Sequence, residues 1–238
     1  RQLRAYLHAP ATYAVMAAFL AAAGWSFCRP LAESPGHQVR VGDLLYAVPA
    51  FWAAVLALAA LLAMPLLAEE RRRGTLEALL TAPVTDLQVV LGKYAGALCL
   101  FLLLTAPTPA YFALLRTFAP GVPPIDPAPV AVGLLGVWLI GACFLAVGLL
   151  VSALTDRQAT AAAVTLLIGA AWLYVPDGLR TVLPPGAGAR LLEGLSAAQH
   201  VRDFSQGILD TRPLVLYLAG TVWSLFATVK VLEARQWT

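Results

Sequence analysis

Six stretches of this 238-residue chain are apolar for long enough to match the width of a lipid bilayer, and that feature leaves few folds open. A hydrocarbon core about 30 Å thick takes about 20 residues of helix, and within it every backbone N–H and C=O must find a partner inside the protein. The stretches run approximately Thr12 to Phe27, Leu45 to Ala68, Leu87 to Leu115, Pro129 to Leu154, Ala159 to Val175 and Leu214 to Val229. The third is long enough to begin outside the lipid, and the fifth is near the short limit. This predicts an all-α polytopic membrane protein with six transmembrane helices, built as one membrane domain over residues 1–238. There is no internal repeat, low-complexity tract or soluble domain. The chain starts at Arg1 rather than Met, so residues ahead of it are expected, and no leader can be told apart from the first span.

Composition closes the soluble alternative. The chain is 60% hydrophobic and 12% charged with a mean hydropathy of +0.77, where soluble domains average about 45–50% apolar and about 25% charged. Its formal net charge is +3, but the basic residues are scattered over loops, so no stripe exists to bind nucleic acid. Cys28, Cys99 and Cys143 show no CxxC spacing. Cys99 and Cys143 fall inside apolar runs and read as small buried residues, while Cys28 sits at a span edge and can be a free, exposed thiol.

Orientation follows from Lys and Arg near the span ends. The side bearing both termini collects Arg1, Arg4, Arg71, Arg72, Arg73, Lys93, Arg157, Lys230 and Arg235, against Arg29, Arg40 and Arg116 in the two short loops opposite. Arg180, Arg190, Arg202 and Arg212, before the sixth span, weaken this bias without reversing it. Both termini are expected in the cytoplasm.

Two stretches outside the spans carry helical periodicity. Leu3, Tyr6, Leu7 and Pro10 share a face, as in a helix lying in the interface and entering the first span at Pro10. Further on, Ser196 and Gln199 form a candidate capping box, Ala198, Val201, Phe204 and Ile208 recur at helical spacing, and Gly207 can end the helix. Pro49, Pro65, Pro107 and Pro109 can kink spans, for movement or only for shape.

Ionisable residues at membrane depth usually mark ion pathways. The six span cores contain none, and Asp86 and Lys93, at the entrance of the third, come nearest. A proton- or ion-driven carrier needs such machinery, so energy is expected to come from outside the lipid. Between the second and third spans lies EERRRGTLEALLTAPVTDLQVVLGK, Glu69 to Lys93, the most charged stretch of the chain. Thr75 can cap a short helix whose Leu76, Leu79 and Leu80 form one apolar face with Glu77 near its start, and Thr85 then caps the third span with Asp86 in its first turn. Such a helix suits docking in a groove on a soluble partner. The plainer reading is that Arg71, Arg72 and Arg73 hold topology and bind anionic lipid.

At this stretch the chain resembles a known family. The run from Glu70 through Gly74, Thr75 and Glu77 to Leu79, Leu80, Thr81, Pro83 and Val84, with Gly92 and Lys93 after it, resembles the cytoplasmic motif of type-2 ABC transporter permeases. RQLRAYLHAPATYAV at the start, LSAAQHVRDFSQGILDTRPLVLYLAG before the last span and VLEARQW at the end are similar to the gliding-motility-associated subgroup. The resemblance implies a permease half of six helices in the bacterial inner membrane, with an N-terminal connecting helix, a coupling helix between spans 2 and 3 and an extracytoplasmic helix before span 6. It also implies an interface with an ABC ATPase subunit at Glu70, Arg71, Arg72, Arg73, Gly74, Thr75, Leu76, Glu77, Leu79 and Leu80, with a second contact at Thr155, Asp156, Arg157 and Gln158. The implied partners are that ATPase, a second permease copy or a related permease, membrane lipid and room for an extracytoplasmic accessory subunit.

The chain has no GxxxxGK[ST] phosphate loop, so no cofactor is assigned to it, and ATP and Mg fall to the partner. His8, His37 and His200 are too far apart for metal-site spacing and read as solvated or interfacial. Gly92 and Gly96 form a GxxxG that can allow close helix contact with an unknown partner. Two other functions compete: a non-transporting scaffold anchoring an extracytoplasmic motility or surface complex, and an ion-coupled carrier, which the empty span cores argue against.

Overall fold

The computed structural model describes residues 10–33, 41–72, 85–118, 126–182 and 194–235, with three single positions between the last two. Among these residues the fold is all-helical, with no strand. In chain order the helices are α1 (Pro10–Glu33), a 3-10 turn (Val41–Leu44), α2 (Pro49–Ala63), α3 (Pro65–Arg72), α4 (Asp86–Thr105), α5 (Ala110–Phe118), α6 (Pro127–Leu154), α7 (Gln158–Val182), α8 (Ala197–Ser205) and α9 (Thr211–Arg235). Six segments are long and apolar enough to cross a membrane: Thr12–Ala32, Pro49–Ala68, Asp86–Phe118, Pro127–Leu154, Gln158–Leu179 and Thr211–Ala234.

Proline chemistry sets where these segments start and bend. Proline fixes φ and has no N–H, so it suits a helix start and disrupts a helix interior. The second helix begins at Pro49, four residues after the apolar run begins, because Leu45 to Ala47 form a turn in which Leu45 and Tyr46 tuck into the core. The third segment is interrupted at 106–109, where Pro107 and Pro109 cannot donate, and three-residue backbone bonds such as Ala110 N–H to the Pro107 carbonyl carry the chain on. Thr85 caps α4 with a reciprocal box: its hydroxyl accepts from the Gln88 N–H, and its own N–H donates to the Gln88 side chain.

Helix α6 is the axis of the bundle. It packs against α2, α3, α4, α7, α8 and α9, and 61% of its apolar window is buried, against 22% in each of the first, fifth and sixth spans. Those three spans therefore turn most of their apolar surface outward, among it Trp25, Leu167, Val222, Trp223 and Phe226. Cys143, on this axis, is buried as expected, but Cys99 is exposed, contrary to its expected burial, and Cys28 is exposed. Gly92 likewise has open space beside it, and a Cβ there would meet nothing within 4 Å among the described residues.

The helix before the last span is α8. Ser196 caps it by accepting from the Gln199 N–H, and it ends in paired bonds from Ile208 N–H to the Asp203 carbonyl and Gly207 N–H to the Phe204 carbonyl, with Gly207 at φ 79°. Its buried face is the expected one only in part: Val201 and Phe204 are buried, but Ala198 is only partly so. Ala197 and His200 also point inward, Ile208 is half exposed, and His200, expected to be solvated or interfacial, is only 4% exposed. Its Nδ1 lies 3.2 Å from the Tyr217 hydroxyl, which fills the need of a buried ring nitrogen.

Candidate coupling site

The expected docking stretch follows directly from a broken helix. Pro65 removes the donor that would reach back one turn, and the second span divides into α2 and α3 at Met64. In an unbroken helix the Met64 carbonyl would accept from the Ala68 N–H. Instead the hydroxyl of Ser152, from α6, stands between them. It accepts from Leu67 N–H at 3.1 Å and Ala68 N–H at 3.0 Å, and donates to the Met64 carbonyl at 3.1 Å. A side chain inserted into the backbone ladder is a recognised cause of a kink, and here it also caps the new helix start.

Close approach brings the hydroxyl within reach. Gly148 lies one turn before Ser152 on α6, and a Cβ there would meet the Ala63 side chain at 2.5 Å. Only a glycine lets α2 end so near the axis that Ser152 can enter its ladder. A second side chain arrives from α4: Lys93 is 5% exposed and donates from Nζ to the Leu66 carbonyl at 2.7 Å. A buried ammonium is costly unless it is hydrogen bonded, and charge-assisted bonds of this kind are the stronger ones. Lys93 was expected at the entrance of the third span. It lies within the bundle near that end, about two turns into α4, and reaches across to α3.

Of the expected interface residues, Glu70, Arg71 and Arg72 close α3. Arg73, Gly74, Thr75, Leu76, Glu77, Leu79 and Leu80 lie outside the described residues, as do residues 1–9 with the expected interfacial helix. Asp156 and Arg157 are exposed in the short turn between α6 and α7, and the Arg157 carbonyl accepts from the Ala161 N–H at 3.0 Å to open α7. Helix α3 packs on both α6 and α7, so the end of α3 and this turn share one end of the bundle. Sequence reasoning missed Ser152. Its only signal was a lone hydroxyl in an otherwise apolar run.

Among the described residues no group of three or more His, Cys, Asp or Glu could hold a metal ion. What the arrangement shows is a helix segment interrupted at one proline and tied by side chains to two other spans. The model of the ABC-2 family transporter proteins matches residues 11–235. The chain belongs to the ABC-2 transporter family. No curated protein matches it. As an ABC-2 family member it is the membrane permease of an ABC transporter, a multi-pass protein that the family pairs with an ATPase subunit.

Proposed function

We propose that this permease is half of an ATP-driven exporter or force-coupling machine of the bacterial inner membrane, a single membrane domain with both termini in the cytoplasm and kinship to the gliding-motility-associated subgroup. Its ATPase docks on the stretch Glu70 to Leu80 and on the turn at Asp156 and Arg157. ATP and Mg bind that ATPase, and a second copy of this chain or a related permease completes the twelve-helix transporter. Nucleotide-driven closure of the ATPases displaces the stretch.

One observation carries this reading: the segment leading into the stretch is a separate half-helix, α3, tied by Ser152 to the central span and by Lys93 to the third. A push on the stretch then reaches α6, which touches most of the bundle. The test is a Leu76→Asp, Leu80→Asp double substitution in the assembled complex. A desolvated, unpaired charge costs several kcal/mol, which lowers affinity by orders of magnitude. The protein should remain in the membrane while the ATPase subunit no longer co-purifies and ATP-dependent activity is lost. Wild-type binding and activity would make the stretch a basic topology anchor instead.

A further inference from the structure

The end of the bundle away from the coupling site carries a groove between α5 and the start of α6. It has a volume of about 510 Å³ and is lined by Phe112, Ala113, Val130, Ala131 and Leu134, with Arg116 and Thr117 at the end of α5 and Pro127 at the start of α6 on its lining too. The lining surface is mostly apolar, and Arg116 is its one charged side chain. Its size lies within the range of small-molecule sites, about 300–1,000 Å³.

Depth fixes what Arg116 faces. Helix α6 has 28 residues, so at about 1.5 Å per residue it outruns a hydrocarbon core of about 30 Å, and its ends stand at headgroup level. Pro127 is its first residue, and Leu134 lies about 10 Å deeper along the same helix. Arg116 is in the last turn of α5 and exposed. Among the described residues it forms no ion pair or hydrogen bond. The nearest acid in sequence, Asp126, caps α6 by accepting from the Ala128 N–H at 3.0 Å. A guanidinium at headgroup level above an apolar trough is the complement of an amphiphile with one anionic group over an acyl chain.

We propose that this groove is a binding site for an anionic glycerophospholipid of the surrounding bilayer, its acyl chain lying along Phe112, Val130 and Leu134 and its phosphate on Arg116. The site needs only that the chain be embedded in lipid, so it stands or falls independently of ATPase docking. Native mass spectrometry of the purified permease, delipidated and titrated with phosphatidylglycerol or phosphatidylcholine of identical chains, reads it directly. The wild type should retain phosphatidylglycerol about fivefold better, the preference one basic residue supplies at a membrane surface. Arg116→Gln should remove that preference, Ala131→Phe should fill the trough and reduce retention of both lipids, and Arg202→Gln, outside the groove at the same end, should leave the preference intact. Equal retention of the two lipids by the wild type, an unchanged preference in Arg116→Gln, or unchanged retention in a folded Ala131→Phe would each overturn the assignment.

Discussion

The two ends of the bundle are built on different principles. At the proposed coupling end, a span is interrupted and its backbone bonds are handed to side chains of neighbouring helices, Ser152 and Lys93. At the other end, ring contacts and long-range bonds tie separate segments together. Phe27 meets Phe112 edge to face at 5.3 Å, Tyr46 lies 5.8 Å from Phe112 and 5.9 Å from Phe51, and Tyr111 donates to the Leu20 carbonyl at 2.6 Å. Trp52 donates to the Tyr46 carbonyl at 2.6 Å, and the Ser205 hydroxyl lies 2.7 Å from the Asp43 carboxylate. Aromatic pairs add about 0.5–1.5 kcal/mol each beyond burial. A hydroxyl inserted in a ladder adds no comparable area and can be exchanged for the helix's own bonds. On the proposed function, the first end is the one that yields and the second the one that stays closed, the asymmetry that a machine driven from one side would require.

The largest effect expected from breaking this asymmetry is at the closed end. Gly42 approaches the Ser205 backbone so closely that a Cβ would overlap the Ser205 carbonyl, so Gly42→Ala must move one backbone or the other. Overpacking of this kind costs about 1–3 kcal/mol. The melting temperature of the purified permease should drop by several degrees, while ATP-dependent activity per folded molecule at permissive temperature stays near wild type. A loss of activity without a loss of stability would show that this end also moves during the cycle.

At the yielding end the expected balance is reversed. Ser152→Ala strands the Leu67 and Ala68 N–H groups or lets them re-form a straighter ladder, and intramembrane hydrogen bonds average only about 0.6 kcal/mol, to about 1.7 at most. Stability should therefore fall by only about 1 kcal/mol. Coupling should suffer more, read as ATP hydrolysed per transport or force event, because α3 is released from α6 while the ATPase remains bound. Ser152→Thr keeps the hydroxyl and should restore the ratio. If Ser152→Ala couples as well as wild type, the inserted hydroxyl shapes the helix and transmits nothing.

What could be read in advance follows the same division. Spans are legible because lipid permits so few ways to satisfy a backbone, and each apolar run is a local property of the chain. Local caps were legible too: Thr85 with Gln88, and Ser196 with Gln199, join residues three apart. The bond of Ser152 to Leu67 joins residues 85 apart, and the Asp43 to Ser205 contact joins residues 162 apart. No pattern within one segment announces such pairs. The inward turn of His200 escaped for a related reason. The apolar positions of α8 suggested one face, but the packed face is chosen by what α6, α7 and the 3-10 turn present to it, including Tyr217 from α9.

That buried histidine supplies the smallest and most specific way to sharpen the comparison. Burial holds the His200 pKa below its ordinary 6.5, while Asp203, Asp210 and the Gly194 backbone pull it upward without overcoming desolvation. The unfolded chain then binds more protons than the folded one between the folded pKa and about 6.5, so stability must fall as pH drops through that window and level off below it. The slope cannot exceed about 1.4 kcal/mol per pH unit. Asp203 acts in the opposite sense, since burial raises its pKa above 3.8 and favours the folded state in more acidic solution. The net expectation is a modest decline in melting temperature from pH 7.5 to pH 5.5, abolished in His200→Gln, with Ser152→Ala retaining the wild-type slope. If His200→Gln declines as steeply as wild type, the titrating group lies elsewhere. If Ser152→Ala flattens the curve, the two ends are not independent, and the division between a closed end and a yielding end fails.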